Sequence, residues 1–187
     1  MITYVSRYAR YLEGLGVISG IFLIVLFLLK WTMGDFLGVN LFLSDTWLAY
    51  SYGPSVSAQI FLHSLPLTHR IAGFLVDGIS VLLILLGFYY AIKIMHCFRK
   101  NEVFSLKTLS FFHSISKIAF AYALFSPIHY SLLCLVGSLH NPPGQRYLVI
   151  GLGTGDLINL LIFLFFLVIT SVMKEGYQLQ EEQNLTV

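Results

Sequence analysis

Charge is what this sequence has least of. Only 11% of its 187 residues are Asp, Glu, Lys or Arg, against 57% hydrophobic, and the mean hydropathy is +0.81. A soluble domain carries about 25% charged residues. So few charges cannot cover a water-soluble globule of this length, and the class is integral membrane. The net charge of +2 implies no nucleic-acid surface and no direct nucleic-acid binding. Cysteine is almost absent. Cys97 and Cys134 fall toward opposite membrane faces, so a disulfide between them is not expected. With no Cys-x-x-Cys pair, a thiol-oxidising membrane enzyme is disfavoured. The histidines show no His-x-x-x-His spacing, so no metal site is expected. No Ser/His/Asp set and no paired carboxylates on one helix stand out, and no internal repeat is visible. The reading that follows is non-enzymatic, although a site assembled in three dimensions need not show in one sequence.

What is present is four long apolar runs. A bilayer core needs about 20 helical residues, and spans are expected over about 14–33, 71–95, 113–136 and 155–174. The first run ends in Lys30-Trp31-Thr32-Met33 without a small-x-small cleavage site, which predicts an uncleaved helix rather than a signal peptide. Within it, Gly16 and Gly20 form a Gly-x-x-x-Gly step that would let a second helix, and so a second copy, approach closely. Residues 35–69, with Trp47, Tyr50 and Tyr52 close together, predict a loop lying at the water–lipid boundary. Ser105 is placed to N-cap the third helix. After it, Lys107, Ser110, Ser114 and Lys117 share one stripe of an amphipathic lead-in. Pro127 should kink the third span. The segment 139–152 contains the turn-rich His140-Asn141-Pro142-Pro143-Gly144-Gln145-Arg146. Gly151, Gly153 and Gly155 then predict close packing at the start of the fourth helix, not a phosphate loop, because no strand precedes them.

Charge position gives orientation. With both ends inside, Arg7, Arg10, Lys93, Arg99, Lys100, Lys107, Lys117 and Lys174 are cytoplasmic, and only Lys30, Arg70 and Arg146 lie outside. Cytoplasmic loops are enriched in Lys and Arg. The expected architecture is therefore an all-α polytopic membrane protein, one domain of four transmembrane helices, N-in/C-in. Its loop 96–109 and polar tail 175–187 share the cytoplasmic face. The Asn184-Leu185-Thr186 sequon would lie there unused.

Ionisable residues inside spans mark functional sites by default. Counting about 1.5 Å per residue from the inner ends puts Lys30, Asp77, His129, Asp156 and Asn159 at one height, in a polar layer near the outer edge of the hydrocarbon. In a functional reading, Asp77 or Asp156 neutralises Lys30 or His129, and the group binds a small polar ligand or a proton. The interfacial reading is preferred: Lys30 snorkels and Asp156 sits at a helix N-terminus. No cofactor is predicted. A haem held between facing histidines would draw on His96, His113, His69 and His129. His69 and His96, about 40 Å apart along a helix, fit the membrane edges better.

Two stretches carry a family resemblance: Phe98-Arg99-Lys100-Asn101-Glu102-Val103-Phe104-Ser105 and Gly176-Tyr177-Gln178-Leu179-Gln180-Glu181-Glu182-Gln183-Asn184-Leu185-Thr186-Val187. With four spans in this length, the chain resembles the bacterial membrane family catalogued as domain of unknown function 2975. Its members carry a loop like F-R-x-G-x-x-F and a tail like G-x-x-L-x-E-E-N-D-L-T-V. Asn101-Glu102 stands where a Gly is common, and Gln183-Asn184 where Asn-Asp is common; the second departure removes one negative charge. The resemblance implies a multi-pass protein of the bacterial inner membrane with no assigned activity and no catalytic residues to carry over. A small helix-turn-helix regulator, or another membrane protein, is the partner it suggests. Arg99, Lys100, Glu102, Phe104, Lys107, Glu181, Glu182 and Leu185 form the expected contact surface, with membrane lipid as the simpler ligand of its basic loop. A small transporter or a haem-bearing redox subunit is the alternative.

Overall fold

The structure is a computed structural model that describes residues 2–33, 66–139, 142–144, 146, 148 and 150–185. Most of the expected boundary loop 35–69 lies outside them. The described residues form four helices, α1 (Ile2–Met33), α2 (Leu67–Arg99), α3 (Leu106–Ser138) and α4 (Thr154–Leu185), and no strand. All four contain segments long and apolar enough to cross a membrane: Tyr8–Thr32, Leu67–Arg99, Leu106–Ser138 and Thr154–Gln183.

The helices outrun the expected spans. Each is 32 or 33 residues long, which is about 48 Å of helix against a hydrocarbon core of about 30 Å. The segment before Gly14 is helical from Ile2, residues 67–69 begin α2, and the polar tail continues α4 to Leu185. A helix nucleated within a span needs only propagation to continue. Gln178, Leu179, Gln180, Glu181 and Glu182 are good helix formers, so nothing stops α4 at Lys174.

The helix ends are specified by local chemistry. At the end of α2, Glu102 N–H donates to Cys97 O (3.0 Å) and Asn101 N–H to Phe98 O (3.1 Å). This is the Schellman pair. It puts Asn101 in the left-handed region, at φ 62°, where Asn is the best tolerated residue after Gly. Asn101 thus does conformationally what a glycine would do there. Ser105 Oγ then accepts from Thr108 N–H (3.1 Å), the expected N-cap. Thr108 Oγ1 donates to Glu102 O (2.6 Å) and closes the loop. Gly144, at φ 94°, follows Pro143 in the turn between α3 and α4, the pairing a type II turn requires. Pro127 lies inside α3, which continues on both sides of it.

Along α1 the covered residues recur at Ala9, Glu13, Gly16, Gly20, Leu23, Phe27 and Lys30. Spacings alternating between four and three make the seam of left-handed helix pairing. That seam holds Glu, Gly and Lys, while Leu15, Ile18 and Phe22 on the other side are about two-thirds exposed. In water this inversion would leave a large apolar surface uncovered; it suits a helix long and apolar enough to cross a membrane.

The contacts divide into two compact units, each drawn from all four helices: Met1–Ile21, Leu83–Ala121 and Leu161–Val187 in the first, Phe22–Leu82 and Tyr122–Leu160 in the second. The first unit has an apolar core of Ile94, Phe112 and Ile115, packed by Phe98, Phe166 and Met173 among others. The lead-in of α3 turns Thr108, Phe112, Ile115 and Ser116 inward and leaves Lys107, Ser110 and Lys117 exposed, with Ser114 half-buried. Gly16 and Gly20 face Ile92 and Leu85 of α2, so their small surface is used within the chain.

Candidate functional site

The five polar-layer residues all belong to the second unit, and they separate into two networks. In the first, Asp77 of α2 is buried and accepts three hydrogen bonds. Lys30 Nζ donates to its Oδ2 at 2.8 Å, Trp31 Nε1 donates to the same oxygen at 3.0 Å, and His129 Nε2 donates to Oδ1 at 3.2 Å. The Lys30 side chain is only 10% exposed. The expectation that Lys30 snorkels is therefore corrected: a partner within reach holds it more cheaply than the detour to the surface. Trp31 is fixed from two more directions. Its ring lies against Gly73, where a Cβ would collide with it, and its carbonyl accepts from Arg70 Nη2 at 2.7 Å. Side chains of α1, α2 and α3 thus meet on one carboxylate whose charge Lys30 balances.

In the second network, Asp156 sits in the first turn of α4. Its Oδ2 accepts from Gly153 N–H at 2.8 Å, while Gly153 O accepts from Asp156 N–H at 3.1 Å. This is the acidic half of a capping box, with the buried Gly153 as the N-cap. Ser126 Oγ donates to Asp156 Oδ1 (2.6 Å) and accepts from Asn159 Nδ2 (3.0 Å), which ties α3 to α4. Counting along helices places the five residues at one height but leaves open which of them face each other. Trp31, Arg70 and Ser126 went unpredicted, because an apolar ring, a residue at a helix start and a serine beside a proline carry no signal of a charge partner.

The first unit contains an ion cluster that the sequence reading missed. Glu13 Oε2 of α1 lies 2.9 Å from Arg99 Nη1, and Arg99 Nη2 donates to His96 Nδ1 at 2.9 Å. Glu13 is the only acidic residue before Asp35; a lone carboxylate entering an apolar run was the available signal. The four histidines considered for haem have separate surroundings. His96 accepts from Arg99, His129 donates to Asp77, His69 lies beside Thr68, and His113 is exposed. Among the described residues no three His, Cys, Asp or Glu side chains are placed to hold a metal, and both cysteines are free and buried.

The expected contact surface is also in the first unit. The Phe104 ring lies against Gly176, where a Cβ would come within 2.5 Å of it. Lys100, Glu102 and Lys107 on the loop side are exposed, as are Glu181, Glu182 and Leu185 on α4, while Arg99 is half-buried against Glu13.

Four helices long and apolar enough to cross a membrane, tied by the buried Lys30–Asp77 pair and the Ser126–Asp156 hydrogen bond, place the chain in the polytopic membrane class. The family model described as "Protein of unknown function (DUF2975)" matches residues 47–187, and the chain belongs to that family. No curated protein and no solved structure matched it.

Proposed function

We propose that this is a non-enzymatic multi-pass protein of the bacterial cytoplasmic membrane, with both ends inside, that acts by holding a partner protein on its cytoplasmic face. Orientation rests on the eight Lys and Arg residues assigned inside against three outside. A reporter fused after Val187 should be active in the form that works in the cytoplasm; activity only outside refutes the orientation.

The observation that carries the docking reading is the seat of Phe104 on Gly176. It joins the basic loop (Lys100, Lys107) and the acidic end of α4 (Glu181, Glu182) into one surface. The end of α4 is exposed on nearly all sides, and Leu179 and Leu185 are uncovered there. A polar helix end carrying uncovered leucines offers a partner both apolar anchors and charge. A small helix-turn-helix regulator or another membrane protein fits, as the family resemblance suggests.

The test is affinity purification in mild detergent of the wild-type chain, of Glu181→Lys with Glu182→Lys, and of Gly176→Val, which displaces Phe104. A protein retained by the wild type and lost from both variants supports the proposal. Recovery of lipid alone, or equal retention by all three, overturns it.

A further inference from the structure

A cleft of about 330 Å³ opens on the surface of the first unit between α3 and α4. Its lining changes character along the helices. Phe120, Phe163 and Leu167 form the apolar part, and Lys117, His113 and Ser171 form the polar part. Lys117 and His113 are both exposed, and neither makes an ion pair with a described residue. Lys30 of α1, by contrast, is paired with Asp77.

The level of Lys117 is set by the helix. From Ile118 to Val136 α3 has 19 residues with no Asp, Glu, Lys or Arg, which is about 28 Å of helix and close to the hydrocarbon thickness of about 30 Å. Lys117 therefore stands at the edge of the hydrocarbon, where lipid phosphates begin. On α4, Thr170 and Ser171 lie just before Lys174, at the matching end of that helix's apolar run. Ser116 Oγ and Thr170 Oγ1 are 2.8 Å apart, so the floor of the cleft at this level is polar and already bonded. Below it, Phe120 and Phe163 pack as a tilted pair with centroids 5.0 Å apart and make an apolar wall. A cation with no ion partner among the described residues, at the boundary above an apolar groove, matches a lipid with an anionic head and an acyl chain.

We infer that the α3–α4 cleft is a binding site for one anionic phospholipid, with Lys117 and His113 holding the headgroup phosphate and Phe120, Phe163 and Leu167 lining an acyl chain. The site is separate from the basic loop, whose Lys100 is exposed to solvent.

Native mass spectrometry of the detergent-purified full chain, titrated with phosphatidylglycerol or phosphatidylcholine, tests this. The wild type should bind phosphatidylglycerol in preference to phosphatidylcholine, with one molecule bound tightest. Lys117→Ala should weaken that binding about fivefold, the factor one lysine is worth at an anionic lipid surface, and Lys117→Arg should restore it. Ser171→Trp should lower it with Lys117 intact, by filling the cleft. No headgroup preference in the wild type overturns the site, as does an equal loss from Lys100→Ala. Displacement of the lipid by millimolar inorganic phosphate would show a free-anion site and likewise refute it.

Discussion

Replacing Asp77 by Asn isolates what the buried cluster contributes. The variant keeps the shape of the side chain, so packing around Phe74 and Gly73 should be unchanged. What it removes is the negative charge facing Lys30, at 2.8 Å, and one full acceptor among three donors. Lys30 is nine-tenths buried and has no other acidic partner among the described residues. Removing one member of a buried pair costs about 3–5 kcal/mol, chiefly because the remaining charge is stranded. The lower end applies here, since the Asn amide oxygen can still accept from Trp31 Nε1. A loss of about 3 kcal/mol lowers the midpoint of a chain this size by roughly 6–12 °C, taking 2–4 °C per kcal/mol. The assay is thermal unfolding of the detergent-purified protein followed by tryptophan fluorescence, with Trp31 in the cluster as its own reporter. Pairing Asp77→Asn with Lys30→Met removes the stranded charge and should recover most of the lost midpoint. A shift under about 2 °C for Asp77→Asn, or a double variant less stable than the single, would show that the pair is not what holds α1 against α2.

Two further predictions concern the loop between α2 and α3. Asn101 sits at φ 62°, so Asn101→Ala should cost about 1 kcal/mol, while Asn101→Gly should be neutral or stabilising by up to about 1 kcal/mol; opposite signs in thermal unfolding check this. Ser105→Ala deprives Thr108 N–H of its acceptor and should cost about 1 kcal/mol, read as faster hydrogen exchange confined to the first turn of α3.

The membrane class and the number of helices were legible because bilayer thickness imposes a length on every apolar run, and composition alone reports it. The helix ends were legible only in part. Ser105 announced the start of α3, but the continuation of α4 to Leu185 did not show, because hydropathy marks where lipid ends rather than where a helix ends. The same distinction governs the polar side chains. Rise per residue converts sequence spacing into depth, so Lys30, Asp77, His129, Asp156 and Asn159 could be assigned to one layer. Azimuth is another matter: each residue turns about 100° around its helix, and an error of two residues in a neighbour's register reverses which groups face each other. That is why Asp77 could be matched with Lys30 only as one of several pairings. Asp156, expected at a helix N-terminus, is found in the first turn of α4, because that role depends on position along the chain and not on azimuth. It is also why Gly16 and Gly20, equally suited to a second copy, are occupied by α2. Asn101 shows the converse case. It stood out as a departure from the family's loop, and its positive φ supplies the reason the departure is tolerated: the position selects a backbone conformation, and Asn can adopt it.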